Sequence, residues 1–301
     1  MSERIPTLIV GGTGYVAGEL LRLVAGHPQL DLHGVSSETA AGTSVSAAFP
    51  HLSPVLKAEG FITQADLAAR MTAPRMALFA AAPHAVSAGV IATLLEAAAA
   101  RQCQLTVVDV SSDFRFKDAA AFQAVYKTPH GAPELLPLFT CALPEHVSGI
   151  PGPHVGHPGC FATSMLAGMV PMLKLGLCEA QIYATGITGS TGAGRTPTAT
   201  THHPERHSNL FAYNPLRHRH APDHGDPIDA ENFGGLVEEQ IPFLCDGALQ
   251  EPSGQILVGR IEGNLFGLAE PLDFCVIPTV ELQRPNRLHD LGENRIIQVF
   301  P

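Results

Sequence analysis

Cys160 is the residue best placed for covalent chemistry. It closes the run His157-Pro158-Gly159-Cys160, and the apolar stretch 161–175 that follows has the length and composition of a helix. A thiol at a helix start has its thiolate stabilised by the macrodipole and by backbone N–H groups. The same N–H groups can hold the oxyanion of an attacked carbonyl. The ordinary fate of a free cysteine is to be a small buried hydrophobe. Cys103, Cys141, Cys178, Cys245 and Cys275 lie in no CxxC spacing and are read that way. A thiolate nucleophile needs a base, usually histidine. His218-Arg219-His220 offers two imidazoles at a period of two, which an extended segment puts on one face. Either could activate Cys160 and later protonate a developing alkoxide. A solvated histidine-rich loop is the plainer reading of these residues. Their surroundings add no cluster of carboxylates or thiolates beyond Asp223, so no metal site is expected.

A second constellation is suited to phosphate. Gly11, Gly14 and Gly18 follow the apolar run 7–10 and precede a stretch with helical spacing of apolar residues. Such a turn lets the backbone approach a pyrophosphate, and the helix start offers N–H groups and a positive dipole end. The spacing is GxxGxxxG, and a tight turn without ligand would also use it. At the end of the second strand an enzyme for NAD usually places an acid on the ribose hydroxyl. Here Ser36 and Ser37 stand there, which suits the 2′-phosphate of NADP, with Glu38 just after as a counter-indication. Two further loops are anion-friendly: Ser111-Ser112-Asp113-Phe114-Arg115 after a strand, and the glycine-rich 186–195 ending in Arg195. Taken alone, each reads better as a surface loop.

The elements that must position these residues follow from periodicity. Strands are expected at 7–10, 30–35, 76–80 and 105–110, and helices at 19–25 and 85–100. Alternation of strands and helices implies parallel βαβ units and a doubly wound sheet of the α/β class. Fully apolar strands fit a sheet covered on both faces. The Gly/Pro-rich stretch 151–158 marks a boundary, with a dinucleotide-binding domain at 1–156 and a catalytic, substrate-binding domain at 157–301. Beyond it a strand is expected at 181–185, then a loop at 186–196, and short strand-like runs at 255–258 and 274–277.

Composition bounds the function. The 301 residues suffice for two domains, and 45% hydrophobic against 15% charged residues excludes overall disorder. A net charge of −10 is a poor basis for binding nucleic acid. No long uncharged apolar run suggests a membrane span, the start of the chain does not resemble a signal peptide, and six widely spread cysteines without a CxxC fit a reduced, cytoplasmic location.

Together these residues resemble N-acetyl-gamma-glutamyl-phosphate reductase and its relative aspartate-semialdehyde dehydrogenase. The matching pieces are GGTGYVAGELLRLVAGHP (11–28), FPHL (49–52), DVSSDFRF (109–116), LPEH (143–146), HPGCFATSML (157–166), GSTGAGR (189–195) and AYNPLRHRHAPD (212–223). The resemblance implies a Rossmann-type doubly wound sheet plus a second α+β domain for substrate binding and dimerisation. It implies NADPH-dependent reduction of an acyl phosphate to an aldehyde in arginine biosynthesis, by a homo-oligomer whose partners are the acyl phosphate and phosphate. Cys160 matches the nucleophile, and His218 and His220 the paired histidines of which one is the acid/base. Gly11, Gly12, Thr13, Gly14, Tyr15, Val16, Ser36, Ser37, Gly189 and Gly192 would line NADP; Ser112, Arg115 and Arg195 would line the substrate. A related aspartate-semialdehyde or carrier-linked aminoadipyl phosphate reductase, or a nucleotide-binding homologue with impaired catalysis, would share these motifs. His157 stands where the family usually has Asn, Phe161 where it has Tyr, Asp223 where it has Glu, and Glu38 where an Arg often touches the cofactor phosphate. The family's closing motifs are not matched in 224–301, as either a divergent tail or a shifted reading frame would produce.

Overall fold

Strand β1 (Ile5–Val10) alternates its side chains between two cores. Leu8 and Val10 enter one apolar cluster and Ile9 enters another. That is the pattern of a strand covered on both faces. The structure, a computed structural model, describes residues 4–56, 59–146, 152–175, 177, 183–209 and 274–279. Its main sheet has seven strands. With β1 these are β2 (Leu30–Ser36), β3 (Phe61–Ile62), β4 (Arg75–Ala80), β5 (Gln104–Asp109), β6 (Phe139–Cys141) and β7 (His154–Gly156). Their spatial order is β3-β2-β1-β4-β5-β7-β6, and every pairing is parallel.

The connections place helices on both faces. Helix α1 (Tyr15–Gly26) buries Leu21 and Val24 with Ile9, Val35 and Phe61. A short helix α2 (Val45–Ala48) adds Val45 to that side. On the other face, α3 (Gln64–Ala69) and α4 (Ser87–Ala100) bring Leu67, Ile91 and Leu94 against Leu8, Leu78 and Val107. Helix α5 (Ala119–Tyr126) follows β5 and is capped by the Asp118 side chain on the Ala120 N–H. This is the doubly wound α/β fold expected from the alternation. Because β2 lies on one side of β1 and β4 on the other, the chain reverses direction at β1, and the crevice at the carboxyl ends of β1 and β4 is where such sheets bind ligands.

Helix α6 (Cys160–Lys174) docks against the sheet edge, where Leu166 and Val170 pack with Cys141 and Leu143. Beyond it, β8 (Tyr183–Thr188) pairs antiparallel with β9 (Phe274–Thr279), and a one-turn helix α7 spans His203–Arg206. Among the strands, two differences from the sequence expectation stand out. Strands β3, β6 and β7 were not expected, because two or three residues give no periodicity and backbone pairing alone defines them. The strand expected at 181–185 is observed at Tyr183–Thr188, with 181–182 outside the described residues. It runs into the expected loop because Ile187 and Thr188 continue the pairing with Cys275 and Phe274. The run 255–258 lies outside the described residues.

Two glycines of the turn after β1 differ in why they are needed. Gly11 has φ +80°, and a Cβ there would lie 2.4 Å from the Ala81 carbonyl oxygen. Gly14, the N-cap of α1, has nothing within 4 Å of such an atom. Gly11→Ala is therefore expected to destabilise the fold by about 2–4 kcal/mol through strain and overlap. Gly14→Ala should lose about 1 kcal/mol or less, the difference between Gly and Ala at an N-cap. Thermal melts of the two variants beside the parent check the ranking.

Candidate active site

The candidate site is built from two loops at the carboxyl edge of the sheet. The first follows β5. Asp109 ends that strand fully buried, accepting hydrogen bonds from the hydroxyls of Ser87 and Ser111 at 2.7 Å each and from the Ser111 N–H at 3.2 Å. Burial raises its pKa above the ordinary carboxylate value; the hydroxyl donors oppose this and the nearby Asp113 adds to it. Asp113 is equally buried and takes the N–H groups of Ala85 (2.8 Å) and Ala88 (3.0 Å), at the start of α4. An anion there meets the positive end of the helix. The Ser112 N–H donates to His84 Nδ1 at 3.0 Å, and His130 donates from Nε2 to the Asp113 carbonyl at 2.7 Å. The His130 tautomer follows from Nδ1, which accepts from the Ala132 N–H.

The second loop carries the cysteine. The His157 N–H donates to the Asp109 carbonyl at 2.7 Å. The His157 carbonyl accepts from Arg115 Nε at 2.9 Å, while Arg115 Nη2 reaches the Val110 carbonyl at 3.1 Å. The His157 ring closes on its own turn, donating from Nδ1 to the Pro158 carbonyl at 2.7 Å. Burial holds this imidazole below its usual pKa; the bond to Pro158 opposes that, the Arg115 charge reinforces it, and Glu145 opposes it. Gly159 then caps α6 with extended geometry and no side-chain acceptor, and Cys160 is its first residue, exposed. Cys103 and Cys141 are buried. The Gly159 carbonyl accepts from the Thr163 N–H at 2.8 Å, which fixes the first turn.

The glycine turn lies beside the second strand. The Gly12 N–H donates to the Ser36 carbonyl at 2.9 Å. Ser36 and Ser37 are buried, and the Ser37 hydroxyl sits 3.3 Å from that of Thr39. Tyr15 and Val16 stand exposed at the start of α1. Arg195 comes to this turn from the later loop, with Nη1 on the Thr13 carbonyl (3.2 Å), Nη2 on the Ala48 carbonyl (3.1 Å) and its guanidinium 5.5 Å above the Phe49 ring. Gly189 caps a 3-10 turn over Ser190–Ala193 and accepts the Gly192 N–H.

The structure thus joins Arg115 to the cysteine turn and Arg195 to the glycine turn. Ser112 is fully buried, its hydroxyl 3.4 Å from the Asp113 carboxylate. His218 and His220 lie outside the described residues. Sequence reasoning passed over Asp109, Asp113, Ser87 and His130. Their one signal was a pair of acids flanking two serines at the end of an apolar strand. Among the described residues no three His, Cys, Asp or Glu side chains stand close enough to share a metal ion, and no helix is long and apolar enough to cross a membrane.

A glycine turn at the reversal point of a parallel sheet, with an exposed thiol opening a helix at the same sheet, defines a dinucleotide-binding α/β protein with a candidate cysteine nucleophile. Residues 7–138 match the sequence model of the semialdehyde dehydrogenase NAD binding domain, and residues 160–231 that of the semialdehyde dehydrogenase dimerisation domain. The chain is 37% identical over 226 residues to a [LysW]-L-2-aminoadipate 6-phosphate reductase of Deinococcus radiodurans, covering 73% of this chain and 60% of the relative. It is 37% identical over 226 residues to an N-acetyl-gamma-glutamyl-phosphate reductase of Magnetococcus marinus, covering 74% and 62%. It is 35% identical over 260 residues to another of Desulforudis audaxviator, covering 85% and 69%. The chain belongs to the semialdehyde dehydrogenase family that includes these N-acetyl-gamma-glutamyl-phosphate and [LysW]-linked reductases. It spans 60% to 69% of the length of these relatives.

Two expectations follow from burial at this site. In the native protein iodoacetamide should alkylate Cys160 at least about tenfold faster than Cys103 or Cys141, because of these three residues it alone is exposed. Mass mapping of the labelled peptides reads this directly. Burial also lowers the pKa of both His157 and His154 from 6.5. The folded chain then stays neutral at these rings where the unfolded chain takes up protons. Their contribution to stability is present above the ordinary imidazole range and is lost as pH falls through it. The thermal midpoint should fall between about pH 7 and pH 5, and His157→Asn should make that fall shallower.

Proposed function

We propose that the chain carries out NADPH-dependent reduction of N-acetyl-gamma-glutamyl phosphate to the semialdehyde, a step of arginine biosynthesis. The observation that carries this reading is Cys160: an exposed thiol at the first residue of α6, in a turn held from both sides by the loop after β5. The division into a dinucleotide-binding unit ending at 156 and a catalytic unit from 157 belongs to the same proposal, as do a homo-oligomeric state and a cytoplasmic location.

The residues at the carboxyl edge fit a dinucleotide. The first turn of α1 has no side-chain cap, and the space over Gly14 is open. Uncapped N–H groups at a helix start suit a pyrophosphate. Gly11, Gly12, Thr13, Gly14, Tyr15 and Val16 would flank it, and Gly189 and Gly192 would approach from the later loop. Ser36 and Ser37 at the end of β2 favour a 2′-phosphate and hence NADP. Bound there, the reduced nicotinamide supplies a hydride.

The chain's own residues supply the rest. The Cys160 sulfur attacks the acyl carbon, the bond from that carbon to the phosphate oxygen breaks, and a thioester on Cys160 results. N–H groups at the start of α6 face the oxygen on which charge develops. After reduction the carbon–sulfur bond breaks and the aldehyde leaves, with His218 or His220 holding the proton that passes to and from the substrate oxygen. Arg115 and Arg195 would offer guanidinium groups to the acyl phosphate, with Ser112 backing Arg115 through its loop.

A second reading, reduction of a carrier-linked aminoadipyl phosphate, is favoured by the similarity to the Deinococcus radiodurans relative. That version should show a basic docking surface around the pocket, and the net charge of −10 weighs mildly against one. Assay of phosphate-dependent NADP reduction with N-acetylglutamate semialdehyde tests the first reading. The parent chain should turn over, and Cys160→Ser should lose on the order of 10³-fold or more in rate. Equal rates would overturn the mechanism, and turnover of the aminoadipate analogue alone would favour the second substrate.

A further inference from the structure

Glu38 sits where a carboxylate would decide cofactor choice, two residues beyond the end of β2. In dinucleotide-binding folds an acid at this strand end accepts hydrogen bonds from the adenosine ribose hydroxyls and selects NAD; a 2′-phosphate is repelled by it. Here the side chain is already engaged. Glu38 Oε1 accepts the N–H of Gln64 at 2.7 Å, across 26 residues of sequence. Gln64 is the first residue of α3, in whose first turn the Asp66 N–H is capped by the Thr63 hydroxyl at 3.1 Å. The same corner is stapled by the Ser37 N–H on the Ile62 carbonyl at 3.0 Å. The carboxylate is therefore drawn toward α3, on the β3 side of β2. The glycine turn lies on the opposite, β1 side, tied to the Ser36 carbonyl through Gly12. At the same strand end the Ser37 hydroxyl pairs with that of Thr39 at 3.3 Å.

We infer that Glu38 is a specificity-determining residue that acts by being withdrawn: its bond to the start of α3 keeps the carboxylate off the ribose, so that NADPH is taken in preference to NADH. This rests on the proposal that a nicotinamide dinucleotide binds over the glycine turn. Releasing the bond should convert Glu38 into the ribose-binding acid of an NAD-type site.

Gln64→Pro removes the donor without altering Glu38. Proline is well tolerated at the first helical position, and Thr63 before it is already extended (φ −73°, ψ 165°), as a residue preceding proline must be. Glu38→Gln keeps an acceptor for Gln64 and removes the charge. Isothermal titration calorimetry of NADPH and of NADH is run on the full chain and both variants, with far-UV circular dichroism to show that each is folded. In the parent, NADPH should bind more tightly. In Gln64→Pro the ratio of the NADH to the NADPH dissociation constant should fall about tenfold, the worth of one hydrogen bond to a charged group. In Glu38→Gln the NADH constant should stay within about twofold, since no ribose contact is lost. An unchanged ratio in folded Gln64→Pro, or NADH weakened about tenfold in Glu38→Gln, overturns the inference and leaves the cofactor reading intact. Failure of the parent to bind either nucleotide overturns both.

Discussion

The site depends on the grip of the β5 loop on the turn before Cys160. Two polar contacts cross it: the Asp109 carbonyl takes the His157 N–H, and Arg115 Nε donates to the His157 carbonyl while its Nη2 is anchored on the Val110 carbonyl of its own loop. Packing completes it. A Cβ on Gly156 would lie within van der Waals overlap of the Phe114 carbonyl, so only glycine lets β7 pass so close. Phe114 in turn stacks on Phe139 at 3.7 Å between centroids and meets His130 edge-on at 5.4 Å. A guanidinium fixed by two carbonyls is a rigid strut, because its donors form a planar fork. The position of the first turn of α6, and with it the sulfur, is inherited from β5.

That strut needs a loop that does not itself move, and the buried carboxylates provide it. Asp109 and Asp113 are both removed from water, an unfavourable place for charge unless donors surround it. They share Ser111: its hydroxyl donates to Asp109 and accepts from the Asp113 N–H at 3.1 Å. Asp113 also ties the loop to the start of α4 through Ala85 and Ala88, where Ala85 holds a left-handed φ of +65°. The left-handed turn at Ala85 directs its N–H to the carboxylate, and that charge-assisted bond offsets the strain. The loop after β4 and the loop after β5 thus form one polar unit.

The parts legible in the sequence are those with long apolar periods. Strands β1, β2, β4 and β5 and helices α1, α4 and α6 combine four or more patterned residues with glycine or proline punctuation. The placement of Cys160 at a helix start was legible for the same reason, since Pro158-Gly159 cannot continue a helix and the apolar run after it can. What was not legible is contact between residues distant in sequence. The acid at 38 reads as an obstacle to a 2′-phosphate until its partner 26 residues on is known. Asp113 reads as loop filler until the N–H groups it caps, 25 and 28 residues upstream, come beside it. Short strands escape for a related reason: β7 exists because β5 and β6 flank it, not because His154-Val155-Gly156 favours a strand.

The same long-range logic links three motifs that look independent along the chain. Gly18 in α1 lacks a side chain because the Phe49 ring occupies that space, 2.7 Å from where a Cβ would be. The ring is thereby held against the helix, and its other surroundings include the guanidinium of Arg195 at 5.5 Å, a separation at which a cation is attracted to the aromatic face. Arg195 completes the assembly by bonding the carbonyls of Thr13 and Ala48. The glycine in the helix, the phenylalanine in the following loop and the arginine far downstream are one packing solution. Its effect is to fasten the later glycine-rich loop to the backbone of the turn over which a dinucleotide would lie.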